Sequence, residues 1–247
     1  MSSDAEQHTG PAGGPVTRRA LLSTAAAALV VGAAGAEVGN LATRSKSAAG
    51  TGDPPDVDLM AEHGVLKRVL LIYQAAVRLI NAGMAPPESA IHDGAEVIHD
   101  FIESFHEALE EGYVFPRLRE AAKLVGTVDT LLVQHARGRE LTQLILAGST
   151  ARAMNSTTTR KTVTGAISAF VRMYEPHEAR EDTVVFPEFR ALLSADELEG
   201  LASTFAELQR KQFGPGAFAE VVNHVADIER SLGIYDLNEF TPSPVVP

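Results

Sequence analysis

The feature that most constrains this chain is an internal repeat whose two copies carry the same chemical groups at the same spacing. The blocks His106–Pro116 and His177–Pro187 both read H-x3-E-[ED]-x3-F-P, and they begin 71 residues apart. A lone histidine precedes each block: His63 lies 43 residues before the first, and His135 lies 42 residues before the second. Self-similarity at a fixed offset indicates a duplicated structural unit. We therefore expect two copies of one helical hairpin.

Apolar residues recur at helical spacing from Val57 onward, and no stretch of strict apolar alternation predicts a strand. Four long helices joined by short connections favour an all-α fold, an up-and-down antiparallel four-helix bundle with accessory C-terminal helices. We expect the two Phe-Pro steps to end or kink their helices, because proline cannot continue the hydrogen-bond ladder. The third helix is predicted over 128–146, the fourth over about 161–185, and one or two accessory helices within 194–235 with a break at 214–216.

Each repeated block supplies a histidine and a glutamate that share one helix face. Residues i and i+4 stand one above the other on a helix, so His106 pairs with Glu110 and His177 pairs with Glu181. Apolar neighbours on the same stripes indicate that these faces point into the bundle. A single His–Glu pair at this spacing is usually a surface contact of about 0.3–0.5 kcal/mol, but the repeat makes two independent surface contacts a poor explanation.

The chain has no cysteine, so any metal must be held by His, Asp or Glu. A carboxylate buried in the bundle has to be paired, protonated or bound to a metal. Four imidazoles and two carboxylates form a nitrogen and oxygen ligand set, which suits iron or manganese and is tolerated by zinc. Two carboxylates that can bridge favour two metal ions over one.

These residues resemble the hemerythrin-like, HHE cation-binding domains. The resemblance covers about residues 57–190 and rests on Glu62-His63, the two repeated blocks and the segment Gln134-His135-x2-Gly138-Arg139. It implies a four-helix bundle around a non-haem centre of two iron ions, with manganese or zinc less favoured. It also implies a ligand set in which no residue has a catalytic role assigned: one iron held by His63 and His106, the other by His135 and His177, with Glu110 and Glu181 bridging.

Two departures from the oxygen-carrying members of that family bear on function. Those proteins use H-x3-H on the third helix, whereas the residue four after His135 is Arg139, which has no lone pair to donate to a metal. They also place the last carboxylate five residues after its histidine as Asp; here Glu181 lies at i+4, and Asp182 at i+5 is available as a substitute.

The smaller ligand set leaves open metal positions, where substrates bind in catalytic sites. It favours a di-iron oxidoreductase that reacts with dioxygen, hydrogen peroxide or nitric oxide. A module that reversibly binds or senses oxygen or iron without turnover is the alternative. A bundle in which metal has only a structural role, or none, is the third possibility. The sequence does not identify an electron donor.

Residues 1–36 have the pattern of an export signal. Arg18 and Arg19 precede an uncharged Ala/Leu/Val/Gly run that ends at the small residues 34–36. The paired arginines resemble a twin-arginine signal, which predicts an exported, extracytoplasmic protein of the periplasm or cell envelope. An uncleaved segment that anchors the chain to the membrane is the alternative.

The remaining regions are predicted from composition. Residues 37–56 form a flexible linker, residues 57–190 the bundle, and residues 191–247 the accessory helices and tail. The chain has 32 acidic and 21 basic residues and a formal charge of −11. This balance argues against nucleic acid as a partner, because binding it needs a basic face.

Overall fold

The computed structural model describes residues 53–87 and 89–244. Over these residues the chain forms six helices and two short 3-10 turns, and contains no strand, which confirms the all-α prediction. Helix α1 spans Pro55–Asn81, α3 spans Val125–Gly148, α5 spans Ala195–Phe213 and α6 spans Ala217–Ser231. The 3-10 turns are Ala153–Asn155 and Leu237–Phe240.

Helices α2 and α4 each run without a break through α-helical and π-helical pieces. Helix α2 consists of Ala90–Val97 (α), Ile98–His106 (π), Glu107–Leu109 (α), Glu110–Val114 (π) and Phe115–Glu120 (α). Helix α4 consists of Thr157–Arg180 (α), Glu181–Val185 (π) and Phe186–Ala191 (α). Both repeated blocks therefore contain a π-helical segment that begins at the glutamate.

Neither helix ends at its Phe-Pro step, because the π-helical turns allow both helices to continue past the proline. The backbone N–H of Phe115 donates to the carbonyl of Glu110, and that of Phe186 donates to the carbonyl of Glu181, five residues earlier in each case. The next residue is proline, which has no N–H to donate, so the wider turn is placed where the ladder already lacks a donor. Helix α4 consequently reaches Ala191, beyond its predicted end.

Helices α1 to α4 form the up-and-down bundle, with their apolar faces buried together. Local signals place their ends: Pro55 begins α1 at a position where its missing N–H costs nothing, and Ser156 caps α4 by accepting from the N–H of Thr159. Arg190, near the end of α4, donates to Asp56 at the start of α1 at 2.7 and 2.9 Å. These contacts fix the register of α4 against α1.

The accessory helices α5 and α6 pack on the bundle beside α1 and α2. They separate at the predicted break, where Gly214 and Gly216 have positive φ values of +94° and +79°. Arg68 of α1 forms a two-armed ion pair with the buried Glu229 of α6, at 3.0 and 2.6 Å. Phe205 of α5 joins the same hydrophobic core. The helices thus extend the core.

None of the helices within the described residues is long and apolar enough to cross a membrane. The predicted export signal at 1–36 lies outside the described residues, as do positions 37–52 of the predicted linker. The last two residues of the predicted linker, Pro55 and Asp56, are the first two residues of α1.

A close approach between α3 and α4 occurs at Gly138. A Cβ atom at this position would lie 2.1 Å from the hydroxyl oxygen of Tyr174 and 2.9 Å from two of its ring carbons. Because glycine leaves this space free, the buried Tyr174 hydroxyl reaches Glu107 and donates a hydrogen bond of 2.6 Å. Gly138 is therefore required by packing beside the cluster described below.

We predict that Gly138→Ala lowers the free energy of unfolding by about 1–3 kcal/mol, the usual cost of overpacking a core. The matched control is Gly165→Ala in α4, where an added Cβ meets nothing within 4 Å. That substitution is expected to raise stability by about 0.5–1 kcal/mol through helix propensity. Urea unfolding followed by circular dichroism measures both. Equal effects of the two substitutions would contradict the close contact.

Candidate metal centre

The structure brings the six residues predicted from the repeat into one cluster in the bundle interior. Each of the four helices contributes one histidine, and α2 and α4 each add one glutamate. All six side chains are buried, and the two glutamates are 0% exposed. The members are His63 of α1, His106 and Glu110 of α2, His135 of α3, and His177 and Glu181 of α4.

Each glutamate lies between histidines from two different helices. The carboxylate of Glu110 places Oε1 at 3.5 Å from Nε2 of His106 and Oε2 at 3.4 Å from Nε2 of His135. The Oε2 atom of Glu181 lies 3.3 Å from Nε2 of His63 and 3.0 Å from Nε2 of His177. Both carboxylates therefore reach across from one hairpin to the other.

The same atoms fall into two compact groups of three possible metal ligands. One group is His63, His106 and Glu110, and the other is His135, His177 and Glu181; within each group the ligand atoms lie within 4.8 Å of one another. The imidazole centroids are 4.6 Å apart in the first group and 5.1 Å apart in the second. Each glutamate belongs to one group and also approaches a histidine of the other, as a bridging carboxylate must.

Four further side chains hold the outer ring nitrogens of the histidines. Glu62 lies 2.8 Å from Nδ1 of His106, and the corresponding contact in the second hairpin joins Gln134 to Nδ1 of His177 at 2.9 Å. In both hairpins the holding residue directly precedes the lone histidine. The sequence alone does not predict this role, because each of these residues adjoins one histidine in the chain and contacts another in space.

The lone histidines are held from the opposite hairpin. Asp182 lies 2.7 Å from Nδ1 of His63, and Glu111 lies 2.9 Å from Nδ1 of His135. Both acids directly follow a glutamate of the cluster, within the π-helical turns. The sequence had allowed Asp182 as a substitute for Glu181 in the cluster. In the structure Asp182 instead contacts the outer nitrogen of His63.

Each lone histidine also packs against the phenylalanine of a Phe-Pro step. Phe186 stacks on His63 with ring centroids 5.4 Å apart, and Phe115 stacks on His135 at 5.6 Å. The repeated block therefore encodes three contacts: a paired histidine and glutamate for the cluster, an acid for the partner hairpin's lone histidine, and an aromatic wall behind it.

Arg139 lies outside the six-residue cluster. Its Nη2 donates to Glu107 at 2.7 Å and to Glu111 at 2.6 Å, and Glu107 also accepts from Tyr174. Lys67 of α1 occupies the matching place in the first hairpin and lies 2.9 Å from Glu178. The guanidinium that replaces the expected histidine thus pairs with one buried carboxylate, Glu107, and one half-buried carboxylate, Glu111, beside the centre.

Seven inward-facing atoms of the cluster lack hydrogen-bond partners among the described residues. Acceptors at all four Nδ1 atoms place the ring proton there, so each Nε2 lone pair points inward. Within residues 53–87 and 89–244, the Nε2 atoms of three histidines and all four oxygens of Glu110 and Glu181 have no hydrogen-bond partner. Lone pairs that face lone pairs in a buried site are costly unless a cation lies between them. The donor set therefore fits a metal.

Protons compete for the same lone pairs. Burial lowers the pKa of His63, but the hydrogen bond to Asp182 and the Glu181 carboxylate outweigh burial and raise the pKa to about 9. Burial likewise opposes charging of His106 and His135, yet the carboxylates around them raise both pKa values. Burial raises the pKa of Glu181, but the neighbouring His177 and His63 hold it below its ordinary value. A metal must displace these protons to bind.

Comparisons with known proteins agree with this geometry. A family model described as the hemerythrin HHE cation binding domain matches the chain twice, over residues 55–153 and 127–212. Uncharacterized proteins of Mycobacterium bovis and Mycobacterium tuberculosis are each 50% identical to this chain over 186 residues, which is 75% of this chain and 73% of the relative. No solved structure gives a significant match.

We predict that the chelator-treated protein loses stability as the pH rises from about 6.5 to above 9. The folded pKa of His63 is about 9, above the ordinary 6.5. Its contribution is therefore complete below pH 6.5 and disappears as the pH rises through 9. Thermal unfolding across this range measures the effect, and His63→Gln should flatten the curve.

The control for that experiment is His99→Gln, because the side chain of His99 is 43% exposed and pairs with its neighbour Asp100. This variant should keep the wild-type pH dependence. A chelated wild-type protein whose melting temperature is the same at both ends of the range would contradict the interpretation of the cluster as a proton-binding site.

Proposed function

This chain belongs to the hemerythrin HHE cation-binding family, and from that premise we propose that it holds two non-haem iron ions and reacts with dioxygen, hydrogen peroxide or nitric oxide. The observation that supports the proposal most strongly is the set of inward-facing atoms without hydrogen bonds: three imidazole Nε2 atoms and four carboxylate oxygens. Imidazole and carboxylate donors suit iron, with manganese and zinc as less favoured occupants.

Two ions fit the cluster better than one because each carboxylate faces both histidine groups. Glu110 approaches His106 and His135 within 3.5 Å, and Glu181 approaches His63 and His177 within 3.3 Å. In the proposed centre His63 and His106 would hold one ion, His135 and His177 would hold the other, and Glu110 and Glu181 would be shared between them. The two carboxylates also offset part of the charge that two cations bring into a buried site.

The protein's own residues keep the centre in a defined state. The acceptors at Nδ1 fix the tautomer and the ring orientation of every histidine, so that Nε2 is free to bind. Phe115 and Phe186 exclude water from the faces of two of the rings. When bound, iron supplies redox chemistry and open positions for a small ligand.

Reaction is favoured over reversible oxygen storage by the role of Arg139. A guanidinium has no lone pair for a metal, and this one is held in ion pairs with Glu107 and Glu111. The site therefore offers two imidazoles to each ion and no further one from α3. Such open positions are typical of catalytic metal sites.

We also propose that the protein is exported by a twin-arginine route to an extracytoplasmic compartment. The support is Arg18-Arg19 before an apolar run within residues 1–36. Export of an already folded chain suits a cofactor loaded in the cytoplasm, because metal choice outside the cell would follow affinity alone. The membrane enters this proposal only through an uncleaved N-terminal segment, and nucleic acid is no partner in it.

We predict about two irons per chain in the purified wild-type protein, with visible absorption that responds to azide. Removing a bridging carboxylate by Glu110→Ala, or an imidazole by His106→Ala, should reduce the iron content to about one per chain or less. Plasma emission spectrometry and absorption spectra measure both quantities. His99→Ala is the matched control and should retain iron. A wild-type protein with no stoichiometric metal after anaerobic iron loading would overturn the proposal.

Turnover separates the enzyme from the carrier. We predict that the iron-loaded protein consumes hydrogen peroxide or nitric oxide, or reduces dioxygen when an electron donor is supplied, and that His106→Ala abolishes the reaction while His99→Ala does not. Electrode measurements follow each small molecule. A stable, reversible spectrum with dioxygen, together with no consumption of peroxide or nitric oxide, would favour the binding or sensing module instead.

A further inference from the structure

The two halves of the cluster match closely, but one of the side chains that hold the histidines differs in charge. In the first hairpin the carboxylate of Glu62 holds Nδ1 of His106; in the second, the amide oxygen of Gln134 holds Nδ1 of His177. Three of the four histidines therefore hydrogen-bond to a carboxylate, and only His177 hydrogen-bonds to a neutral group.

This difference changes how strongly the histidines donate to a metal. An imidazole whose N–H donates to a carboxylate gains negative character and becomes a stronger ligand, whereas an amide oxygen has a weaker effect. His177 is therefore the weakest donor of the four. An ion that receives less charge from its ligands is more Lewis acidic and attracts exogenous ligands more strongly.

The cation next to His135 acts in the same direction. Glu111, which holds Nδ1 of His135, also accepts from Arg139 at 2.6 Å. For His63 of the first hairpin the corresponding acid is Asp182, and the matching cation Lys67 pairs with Glu178 instead. The carboxylate behind His135 thus shares its charge with a guanidinium. Both histidines of the second group are weaker donors than their counterparts.

A recess in the surface leads to that same group. It lies between α3 and α4 and has a volume of about 270 Å³. Its lining includes Thr130, Gln134, Pro176 and Arg180 together with the buried His177. The exposed guanidinium of Arg180 gives its rim a positive charge. Small ligands such as peroxide, nitric oxide or azide fit readily in this volume.

A recess on the other side of the bundle does not provide an equivalent path. It has a volume of about 240 Å³ and reaches Glu62, but its lining includes none of the six cluster residues. Asp58 and Glu62 make that lining acidic, which disfavours anions.

We propose that exogenous small ligands enter through the recess between α3 and α4 and bind the ion held by His135 and His177, with Gln134 as the positioning residue that makes this ion the more Lewis acidic of the two. The proposal rests on the di-iron function proposed above. It assigns different roles to two ions that the sequence repeat alone would make equivalent.

The test uses the full chain loaded with ⁵⁷Fe, and azide as the probe. Mössbauer spectra of the wild-type protein should show two iron signals of equal area, and azide should shift one of them. Gln134→Glu supplies a carboxylate to the second hairpin, so it should bring the two signals together and raise the Kd for azide by about three- to tenfold. The mirror substitution Glu62→Gln should also bring the two iron signals closer together, but without raising the Kd for azide.

The path is tested separately by filling the recess. Thr130→Trp should slow azide binding at least tenfold without changing the iron content. Thr162→Trp is the matched control, since both threonines are exposed helix residues whose hydroxyls donate to the carbonyl four residues earlier, and it should leave the rate unchanged. Stopped-flow absorption measures both rates.

The outcomes distinguish this inference from the function on which it rests. A wild-type protein without two irons would overturn both. Two irons whose signals shift equally with azide, an unchanged Kd in Gln134→Glu, or equal rates in the two tryptophan variants would overturn the inference and leave the di-iron proposal standing.

Discussion

Two carboxylates sealed in the bundle interior determine how the rest of the structure is arranged. Glu110 and Glu181 are 0% exposed, and a buried charge without compensation costs several kcal/mol. Each helix of the bundle places one histidine next to these carboxylates, and a polar side chain contacts the outer nitrogen of each histidine. The glutamates are thus surrounded by histidines, and the histidines by the polar side chains that contact their outer nitrogens. The inward-facing lone pairs would be stabilised by a cation lying between them, which has to come from outside the chain.

The duplication explains why the layers interlock. Each repeated block supports a histidine of the other hairpin: Asp182 holds His63, and Glu111 holds His135. Phe186 and Phe115 stack on the same two rings. Each hairpin supplies its own group of three ligands, but the side chains that hold its lone histidine come from the other hairpin. Correct pairing of the hairpins is therefore coupled to formation of the centre, and metal binding stabilises the native pairing.

The sequence could predict the part of the site that depends on local spacing. His106 with Glu110 and His177 with Glu181 follow from helical periodicity, and the repeat adds His63 and His135; the helical class of the fold follows from the same periodicity. Contacts between helices could not be predicted from the spacing: Glu62 directly precedes His63 in the chain but contacts Nδ1 of His106 on another helix. The sequence also did not predict the π-helical turns, because proline ordinarily indicates a helix end. The structure shows how each helix continues: the N–H of Phe115 or Phe186 donates to the carbonyl five residues earlier.

A duplicated hairpin begins as two equivalent metal positions, whereas a reaction with one small molecule needs only one ion to receive it. Changing a ligand would risk losing the metal, since each ion has only two imidazoles in the proposed set. Changing a residue that touches only the outer nitrogen alters donor strength while the ligand atoms stay in place. Glu62 and Gln134 differ in this way, as do the ion pairs of Lys67 and Arg139. In the proposed centre, the two halves of this bundle therefore differ at residues that would distinguish the two ions while the six ligands stay unchanged, and the recess at His177 opens on the side where the proposed donors are weaker.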